Sequence, residues 1–254
     1  GDRAGAGAVL LLPAAGGVGA LPDVPQVQAG DGYGWTVRTG YLDADRCLDV
    51  VVGAPYTDVA GVRDAGAVYL LYGGRGREPV RIEPPRPEQD AHFGWAVSVR
   101  ARTLAVGAPH QDADGVTDSG AVYVYRLDAQ GKPGQTRMIT QNTENVIGNS
   151  EPGDGFGWAL ALGRLGGDPN AVDLAVGVPY ENDDGAGPQS GQGTADVGSL
   201  VCLFDVTGTV SSKKWLLHEA TEDVPATAGD LFGLSLAYTE WEGNGYLAVS
   251  APLA

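Results

Sequence analysis

The sequence predicts an all-β protein built from repeated antiparallel sheets, and three features lead to this prediction. The 254 residues include 40 glycines and 16 prolines, a composition that suits tight turns because glycine readily adopts positive φ angles. Short apolar runs, rich in β-branched and aromatic residues and bounded by Gly, Pro or Asp, are typical of strands rather than helices. The same order of runs recurs along the chain, which points to a repeat architecture.

Each repeat opens with an aromatic residue followed by glycine. A second run ends at a proline, and in the first three copies a third run begins at a glycine. A weaker fourth run follows in the stretches PVRIEPP, QTRMITQN and KKWLLHEA. The aromatic-glycine pairs are Tyr33-Gly34, Phe93-Gly94, Phe156-Gly157 and Phe232-Gly233; the prolines are Pro55, Pro109, Pro179 and Pro252; the third runs begin at Gly66, Gly120 and Gly198.

The fourth copy stops after LAVSAPLA, and the first twelve residues, GDRAGAGAVLLL, match the run it lacks. When an N-terminal strand completes the last sheet of a ring of sheets, it locks the ring and removes an exposed edge. We therefore predict a single β-propeller domain over residues 1–254, with four four-stranded antiparallel blades. The units start near 31, 90, 153 and 229, and residues 1–28 complete the last blade. A linear array or a sandwich is the alternative.

The chain is acidic, with 32 Asp and Glu against 16 Lys and Arg and a formal net charge of -16. A nucleic-acid-binding protein needs a basic surface, so the composition argues against that class. The charge favours solubility, cation binding or a basic partner. Cys47 and Cys202 form neither a disulfide framework nor a zinc-ligand pattern, and no apolar run is long enough for a membrane span.

The runs FGWAV, VGAP and GAVYVY resemble FG-GAP repeats, the units that build the propeller head of integrin alpha subunits. The stretches EPGDGFGWAL and VRDAGAVYLLYGG are similar to bacterial members of that family. The resemblance covers nearly all of the chain. It implies a ligand-binding, adhesion-type module, secreted or on the cell surface, that recognises a protein, a glycan or a small molecule. Integrin heads have seven units, so four units leave a closed monomer or a ring-completing homo-oligomer as alternatives.

The resemblance also implies calcium in the hairpin between the first two strands of a unit. Calcium takes roughly six to eight oxygen ligands, which alternate residues of a tight loop can supply. The pattern here is degraded, since Tyr41 stands where the first Asp is expected and Arg46 replaces a Gly. An acidic turn that bonds its own backbone is the alternative. The candidate metal ligands are Asp43, Asp45 and Asp49 in the first unit, and Asp168, Asn170 and Asp173 in the third.

Acidic loops follow the second run of each unit and are expected to share one face of the molecule. Asp58 aligns with Asp112 and Asp64 with Asp118, which favours side-chain-to-backbone bonds that shape the loop. Asp112, Asp114 and Asp118 also offer oxygens to a cation. The predicted acidic ligand-binding residues of this face are Asp58, Asp112, Asp114, Glu181, Asp183 and Asp184.

The residues after the proline of the second run are Tyr56, His110, Tyr180 and Leu253, and the repeat symmetry places them around one mouth. Tyr and His can bind a ligand or move a proton. Two hypotheses follow: a binding module that uses this mouth and the acidic face, or an enzyme (a lyase, hydrolase or cyclase) with His110, Tyr56 and Tyr180 as catalytic candidates. We find no known catalytic motif, which favours the binding module.

Three tryptophans, Trp35, Trp95 and Trp158, follow the glycine that opens the first three units. Because the repeat itself places them, we expect them to pack between blades as core aromatics rather than to form a sugar-stacking ring. His92 and His218 show no partner pattern, and we expect structural or exposed positions for them.

Overall fold

The computed structural model confirms an all-β chain. It describes residues 5–12, 21, 24, 26–74, 76–166, 168, 170–182, 193–221 and 224–254. These residues form three four-stranded antiparallel sheets and one two-stranded sheet. In each sheet the strands pair in chain order, which is the arrangement of a propeller blade.

The strands follow the order of the runs in the sequence. Sheet 1 contains β1 (Thr36–Gly40), β2 (Asp49–Ala54), β3 (Ala67–Leu71) and β4 (Val80–Ile82). Sheet 2 contains β5 (Ala96–Arg100), β6 (Thr103–Ala108), β7 (Ala121–Leu127) and β8 (Pro133–Ile139). Sheet 3 contains β9 (Ala159–Gly163), β10 (Asp173–Val178), β11 (Ser199–Phe204) and β12 (Ser211–Trp215). Sheet 4 contains β13 (Leu236–Trp241) and β14 (Asn244–Val249).

Helical structure in the described chain is limited to a 3₁₀ turn at Ala113–Gly115 and one short helix, α1 (Leu217–Ala220). The run KKWLLHEA was expected to be a strand throughout, and that is wrong for its second half. The carboxylate of Glu219 accepts a hydrogen bond from the backbone N–H of Leu216 at 3.1 Å. This bond caps a helical turn directly after β12.

Neighbouring sheets pack face to face through separate apolar clusters. One cluster joins sheets 1 and 2, a second joins sheets 2 and 3, and a third joins sheets 3 and 4. The innermost strands β1, β5, β9 and β13 contact one another in that order, and residues from all four line a cavity of about 420 Å³. Cys202 is buried in the third cluster.

The glycine of the VGAP run is required by the contact between sheets. A Cβ on Gly107 of β6 would overlap the carbonyl oxygen of Gly157, which belongs to the turn that opens the next unit. Gly53 and Gly177 meet the corresponding oxygens of Gly94 and Gly233 in the same way. The glycine of the motif is therefore needed because one sheet lies too close to the turn of the next unit to leave room for a side chain.

The N-terminal segment lies against sheet 1 at the position of a third strand. Gly7 bridges Tyr33 in parallel, as Gly66 bridges Phe93. The backbone N–H of Tyr33 donates to the carbonyl of Ala6 at 2.8 Å, and Ala6 joins the apolar cluster of sheet 1. Gly7 therefore takes the position at which the third run of the fourth unit is expected to begin.

Sheet 4, however, differs from the predicted four-stranded blade, because only β13 and β14 pair in it among the described residues. The equivalent strands β2, β6 and β10 are buried along their whole length, whereas β14 is exposed or half-buried. Beyond Gly7, the residues Leu10 and Leu12 are also exposed. The fourth sheet therefore presents an open edge in the described part of the chain.

Candidate functional site

A continuous row of aromatic rings lies where the first strands of the units begin. We call this row the aromatic arc. Its members come from two repeated positions, the residue after the opening glycine and the residue after the proline of the second run, together with one histidine. The aromatic arc consists of Trp35, Tyr56, His92, Trp95, His110, Trp158 and Tyr180.

The three tryptophans form the centre of the aromatic arc. The ring centroids of Trp35 and Trp95 are 4.7 Å apart, and those of Trp95 and Trp158 are 4.8 Å apart. Trp35 is 49% exposed, and the other two are half-buried. Trp95 packs against the apolar cluster that joins sheets 2 and 3, as expected for an aromatic between blades, whereas the exposure of Trp35 differs from that expectation. Because each follows a left-handed glycine at the mouth, the rings contact one another across the blades and keep a face toward solvent.

Tyr56, His110 and Tyr180 flank this row, so the structure brings the three predicted mouth residues together. Tyr56 lies edge-on to Trp35 at 5.4 Å, and Tyr180 lies edge-on to Trp158 at 5.1 Å between ring centroids. His110 contacts both Trp95 and Trp158. Leu253, the fourth residue of this set, is 69% exposed, and it does not contribute an aromatic ring.

His92 is a member of the aromatic arc that the sequence did not predict. Its Nδ1 lies 2.9 Å from Nδ1 of His110, a distance at which one ring donates a hydrogen bond to the other. His92 has a left-handed φ of 56°, a conformation that is uncommon for residues other than glycine. The equivalent residues Gly32 and Gly155 have φ angles of 66° and 68°. The signal was in the sequence, since a histidine replaces a repeated glycine.

Both histidines are uncharged at neutral pH. Burial among the rings and the neighbouring His110 lower the pKa of His92 from 6.5 to about 4. Burial also lowers the pKa of His110, although the carboxylates of Asp118 and Asp90 oppose this shift. The aromatic arc therefore carries no positive charge of its own at pH 7.

The acidic loops around the aromatic arc are shaped by one repeated hydrogen bond. The carboxylate of Asp58 accepts from the backbone N–H of Asp64 at 3.0 Å, and Asp112 accepts from Asp118 at 2.9 Å. This agrees with the loop-shaping interpretation of their alignment. In the third unit Asn182 accepts from Asp196 at 3.1 Å, a residue that sequence reasoning missed.

The remaining predicted acidic residues fall into three different situations. Asp114 accepts hydrogen bonds from Thr140 and Asn142, each at 3.2 Å, so it belongs to a bond network away from Asp112 and Asp118. Asp183 and Asp184 lie outside the described residues. Glu181, predicted on the acidic surface, is instead 1% exposed, because its position in the repeat points its side chain between the loops into the protein.

Glu181 belongs to a buried polar cluster in the third unit. Its carboxylate accepts hydrogen bonds from Lys214 Nζ at 2.8 Å and from Gln141 Nε2 at 2.7 Å. Asp154, also 1% exposed, accepts from the backbone N–H of Glu151 at 2.8 Å. Burial first, and then the nearby carboxylate of Glu181, raise the pKa of Asp154 to about 8. Asp154 therefore keeps its proton at neutral pH.

The hairpin of Asp43, Asp45 and Asp49 brings its carboxylates together, with one ligand oxygen of each within 4.8 Å of the others. Those oxygens already have donors. Asp49 accepts from the backbone N–H groups of Leu42 at 2.7 Å and Gly73 at 2.8 Å. Asp43 forms an ion pair with Arg77. The group fits calcium in composition, but the guanidinium of Arg77 already occupies the position beside Asp43 that a cation would take.

The hairpin of Asp168, Asn170 and Asp173 fits calcium less well. Asp173 accepts from the backbone N–H groups of Leu165 and Gly166, each at 2.7 Å, and of Asp205 at 3.0 Å. Asp168 accepts from the N–H of Asn170 at 2.9 Å. These are the self-bonded turns that the alternative interpretation predicts.

The comparisons with known proteins match the repeat pattern. A family model for the FG-GAP repeat matches residues 78–125. Phosphatidylinositol-glycan-specific phospholipase D of Homo sapiens is 30% identical over 236 residues, which cover 86% of this chain and 26% of that protein. Integrin alpha-PS2 of Drosophila melanogaster is 33% identical over 172 residues, which cover 61% of this chain and 12% of that protein. The chain thus spans 26% of the first relative's length and 12% of the second's. Within the described residues, no helix is long and apolar enough to cross a membrane.

Proposed function

Because the chain belongs to the FG-GAP repeat family, we propose that it is a ligand-binding module that recognises a partner through the aromatic arc. The observation that carries the proposal is the row of seven contacting rings, with half-buried or exposed tryptophans at its centre. Aromatic side chains with one accessible face dominate recognition surfaces, since they bury a large area at low entropic cost.

We infer that the partner is a protein that presents a cationic side chain to this surface. The faces of Trp and Tyr rings attract a cation, and the attraction is strongest for Trp. The two histidines add no opposing charge at neutral pH. Carboxylates lie around the rings. Asp90 and Asp118 act on the histidines, and Asp58 and Asp64 line a cavity of about 260 Å³ together with Tyr56 and with Arg63, which pairs with Asp64 and Asp90. The net charge of -16 would further steer a basic partner toward the protein.

Two short synthetic peptides that differ only by arginine or citrulline test this proposal. Binding is followed by tryptophan fluorescence and by calorimetry, because the aromatic arc contains three of the five tryptophans. We expect the arginine peptide to bind and the neutral peptide to bind at least about 10-fold more weakly. Equal binding of the two peptides, or binding of neither, contradicts the proposal.

The variant Trp95→Leu removes the central ring of the aromatic arc and is expected to lose the preference for arginine. Trp241→Leu is the matched control, because Trp241 is 65% exposed on β13 and contacts Tyr246 rather than the aromatic arc. Thermal unfolding of both variants separates a loss of binding from a loss of the fold.

The second hypothesis, an enzyme, is supported by the residue types at the mouth but not by their contacts in the structure. His110, Tyr56 and Tyr180 do meet at the mouth, but the described contacts of His110 are rings, and its hydrogen-bond partner is another neutral histidine. A general base of the usual kind is oriented by a carboxylate or a similar group. The arrangement therefore supports binding rather than proton transfer.

We further propose that residues 7–12 complete sheet 4, so that residues 1–254 form one closed four-bladed domain. The position of Gly7 against Tyr33 and the open edge of β14 support this proposal. A second copy that supplies the strand is the alternative, and a concentration-dependent oligomer would indicate it. A location outside the cell is likewise a proposal from the family resemblance. Calcium, which the family also suggests, has no role in the recognition proposed here.

A further inference from the structure

Arg77, in the connection between β3 and β4, reaches into the acidic hairpin between β1 and β2. One guanidinium nitrogen donates to the carboxylate of Asp43, and the other donates to the backbone carbonyl of Gln130. The guanidinium carbon lies 3.6 Å from the ring centroid of Tyr72, within the range of a cation–π contact. The positive group is thus held on three sides.

The pair of Arg77 and Asp43 is largely withdrawn from water. The side chain of Asp43 is 4% exposed and that of Arg77 is 34% exposed. A buried carboxylate is costly unless a cation and hydrogen bonds compensate its charge. Asp45 and Asp49 place two more acidic groups close to Asp43, so a positive charge beside them stabilises the hairpin.

Hydrogen bonds inside the hairpin tie each of the three carboxylates to the backbone. Asp43 accepts from the backbone N–H of Asp45 at 2.9 Å, and Asp45 accepts from that of Cys47 at 2.7 Å. Asp49 accepts from the N–H groups of Leu42 and Gly73. Every one of the three carboxylates therefore has a backbone donor, and the guanidinium supplies the compensating charge.

Arg77 also connects two sheets. Asp43 belongs to sheet 1, whereas Gln130 lies in the turn between β7 and β8 of sheet 2. The same two regions meet at the N–H of Ala44, which donates to the carbonyl of Ala129 at 3.0 Å. Tyr72, under the guanidinium, donates its hydroxyl to the carbonyl of Gly131 at 2.7 Å.

We infer that Arg77 takes the place of a metal cation in this hairpin, so that its folding and its contact with sheet 2 do not require calcium. The complementary consequence is that removing the guanidinium uncovers a divalent-cation site made by Asp43, Asp45 and Asp49. Calcium is the ion expected there, because it prefers carboxylate oxygens in a flexible loop.

Thermal unfolding in EDTA and in calcium chloride tests this inference. We expect the wild-type midpoint to be the same in both solutions. Arg77→Gln removes the charge, and its midpoint is expected to fall in EDTA and to rise by roughly 5–10 °C when calcium exceeds its dissociation constant about 100-fold. Calorimetry should detect calcium binding to Arg77→Gln that the additional change Asp43→Asn abolishes. Arg63→Gln, which breaks a surface pair with Asp90, is the matched control and should show no calcium response.

Two results would overturn the inference. One is a wild-type protein whose midpoint falls in EDTA and no longer does so after Asp43→Asn. The other is a folded Arg77→Gln protein that neither binds calcium nor responds to it. If Arg77→Gln does not fold, Arg77→Lys keeps a positive charge at the site. Its midpoint must then be the same in EDTA and in calcium, and a calcium-dependent midpoint contradicts the inference.

Discussion

His92 and His110 lie with their Nδ1 atoms 2.9 Å apart at the centre of the aromatic arc, and they replace a glycine and a tyrosine of the neighbouring units. In the first unit a Cβ on Gly32 would contact the ring of Tyr56 at 2.8 Å. The small glycine therefore leaves the space that the tyrosine ring occupies. In the second unit two imidazoles share the corresponding space.

This pair predicts an acid-sensitive component of stability. The pKa of His92 is about 4 in the folded protein and 6.5 for an ordinary histidine, so the unfolded chain takes up the proton first. The contribution of His92 to the free energy of unfolding should therefore fall as the pH drops from about 6.5 toward 4. Asp90, Arg63 and Asp118 are the charged groups that act on the pair.

The double variant His92→Gly with His110→Tyr reproduces the glycine and tyrosine of the first and third units. We expect it to fold and to lose the part of the pH dependence between 6.5 and 4 that the histidines cause, as measured by urea unfolding at several pH values. An unchanged pH profile would show that the two histidines are not its source.

The raised pKa of Asp154 predicts that this group makes the protein less stable as the pH rises, the opposite of the effect of His92. The pKa of Asp154 is raised from 3.8 to about 8, so the folded protein holds a proton that the unfolded chain has already lost. The contribution of Asp154 to the free energy of unfolding should fall as the pH rises from about 4 to 8, by up to about 1.4 kcal/mol for each pH unit.

Asp154→Asn tests this prediction, because the amide is neutral at every pH and can still accept from the N–H of Glu151. The slope of stability against pH between 5 and 8 should become smaller in this variant. Asp230→Asn is the control for the loop bond itself, since Asp230 accepts from Thr227 at the equivalent position. An identical slope in wild type and Asp154→Asn would contradict the prediction.

The glycine of the VGAP run predicts a large and local packing penalty. Gly107→Ala places a methyl group on the carbonyl oxygen of Gly157, and we expect a loss of at least about 3 kcal/mol from the overlap between sheets. Gly153→Ala is the matched control, because its φ is 90° and no atom lies within 4 Å of the added Cβ. It should cost only about 1 kcal/mol of backbone strain. Equal losses in chemical denaturation would refute the contact argument.

The proposed completion of sheet 4 predicts protection of the β14 amides. Hydrogen exchange should be slow in Asn244–Val249 of the full chain and fast after deletion of residues 1–12. The amides of β10 serve as the internal control, because that strand is buried between its own partners. Fast exchange of β14 in the full chain contradicts the closure. Protection of the β14 amides that is lost on dilution would indicate that a second copy supplies the strand. Protection that persists would indicate a strand from the same chain.

The order of strands could be predicted from the sequence because it depends on local signals. The runs ending at Pro55, Pro109 and Pro179 became β2, β6 and β10, since short apolar runs rich in β-branched residues and bounded by Gly and Pro are typical of strands. The prediction of a strand through the whole of KKWLLHEA was wrong for a local reason as well. The N–H of Leu216 donates to the carboxylate of Glu219, and this bond caps a helical turn where the strand ends.

The candidate site was predicted in part. Tyr56, His110 and Tyr180 meet at one mouth because the repeat gives them equivalent positions, which sequence alignment detects. Arg77 and the buried Glu181 depend instead on which side chains from distant segments converge, and no spacing along the chain carries that information. Arg77, for example, is 34 residues from Asp43 and 53 residues from Gln130. His92 could have been found from the sequence, because it replaces a repeated glycine.

By itself, the sequence determined the repeated unit, its strands and its family, because these follow from short patterns that recur. Only the tertiary structure decided which charges compensate one another and which rings form a surface. A carboxylate in a hairpin can bind calcium, its own backbone or an arginine, and the choice depends on what the neighbouring sheet brings within a few ångströms. For the hairpin of Asp43 that partner is the guanidinium of Arg77, since burial of the carboxylate makes an uncompensated charge too costly.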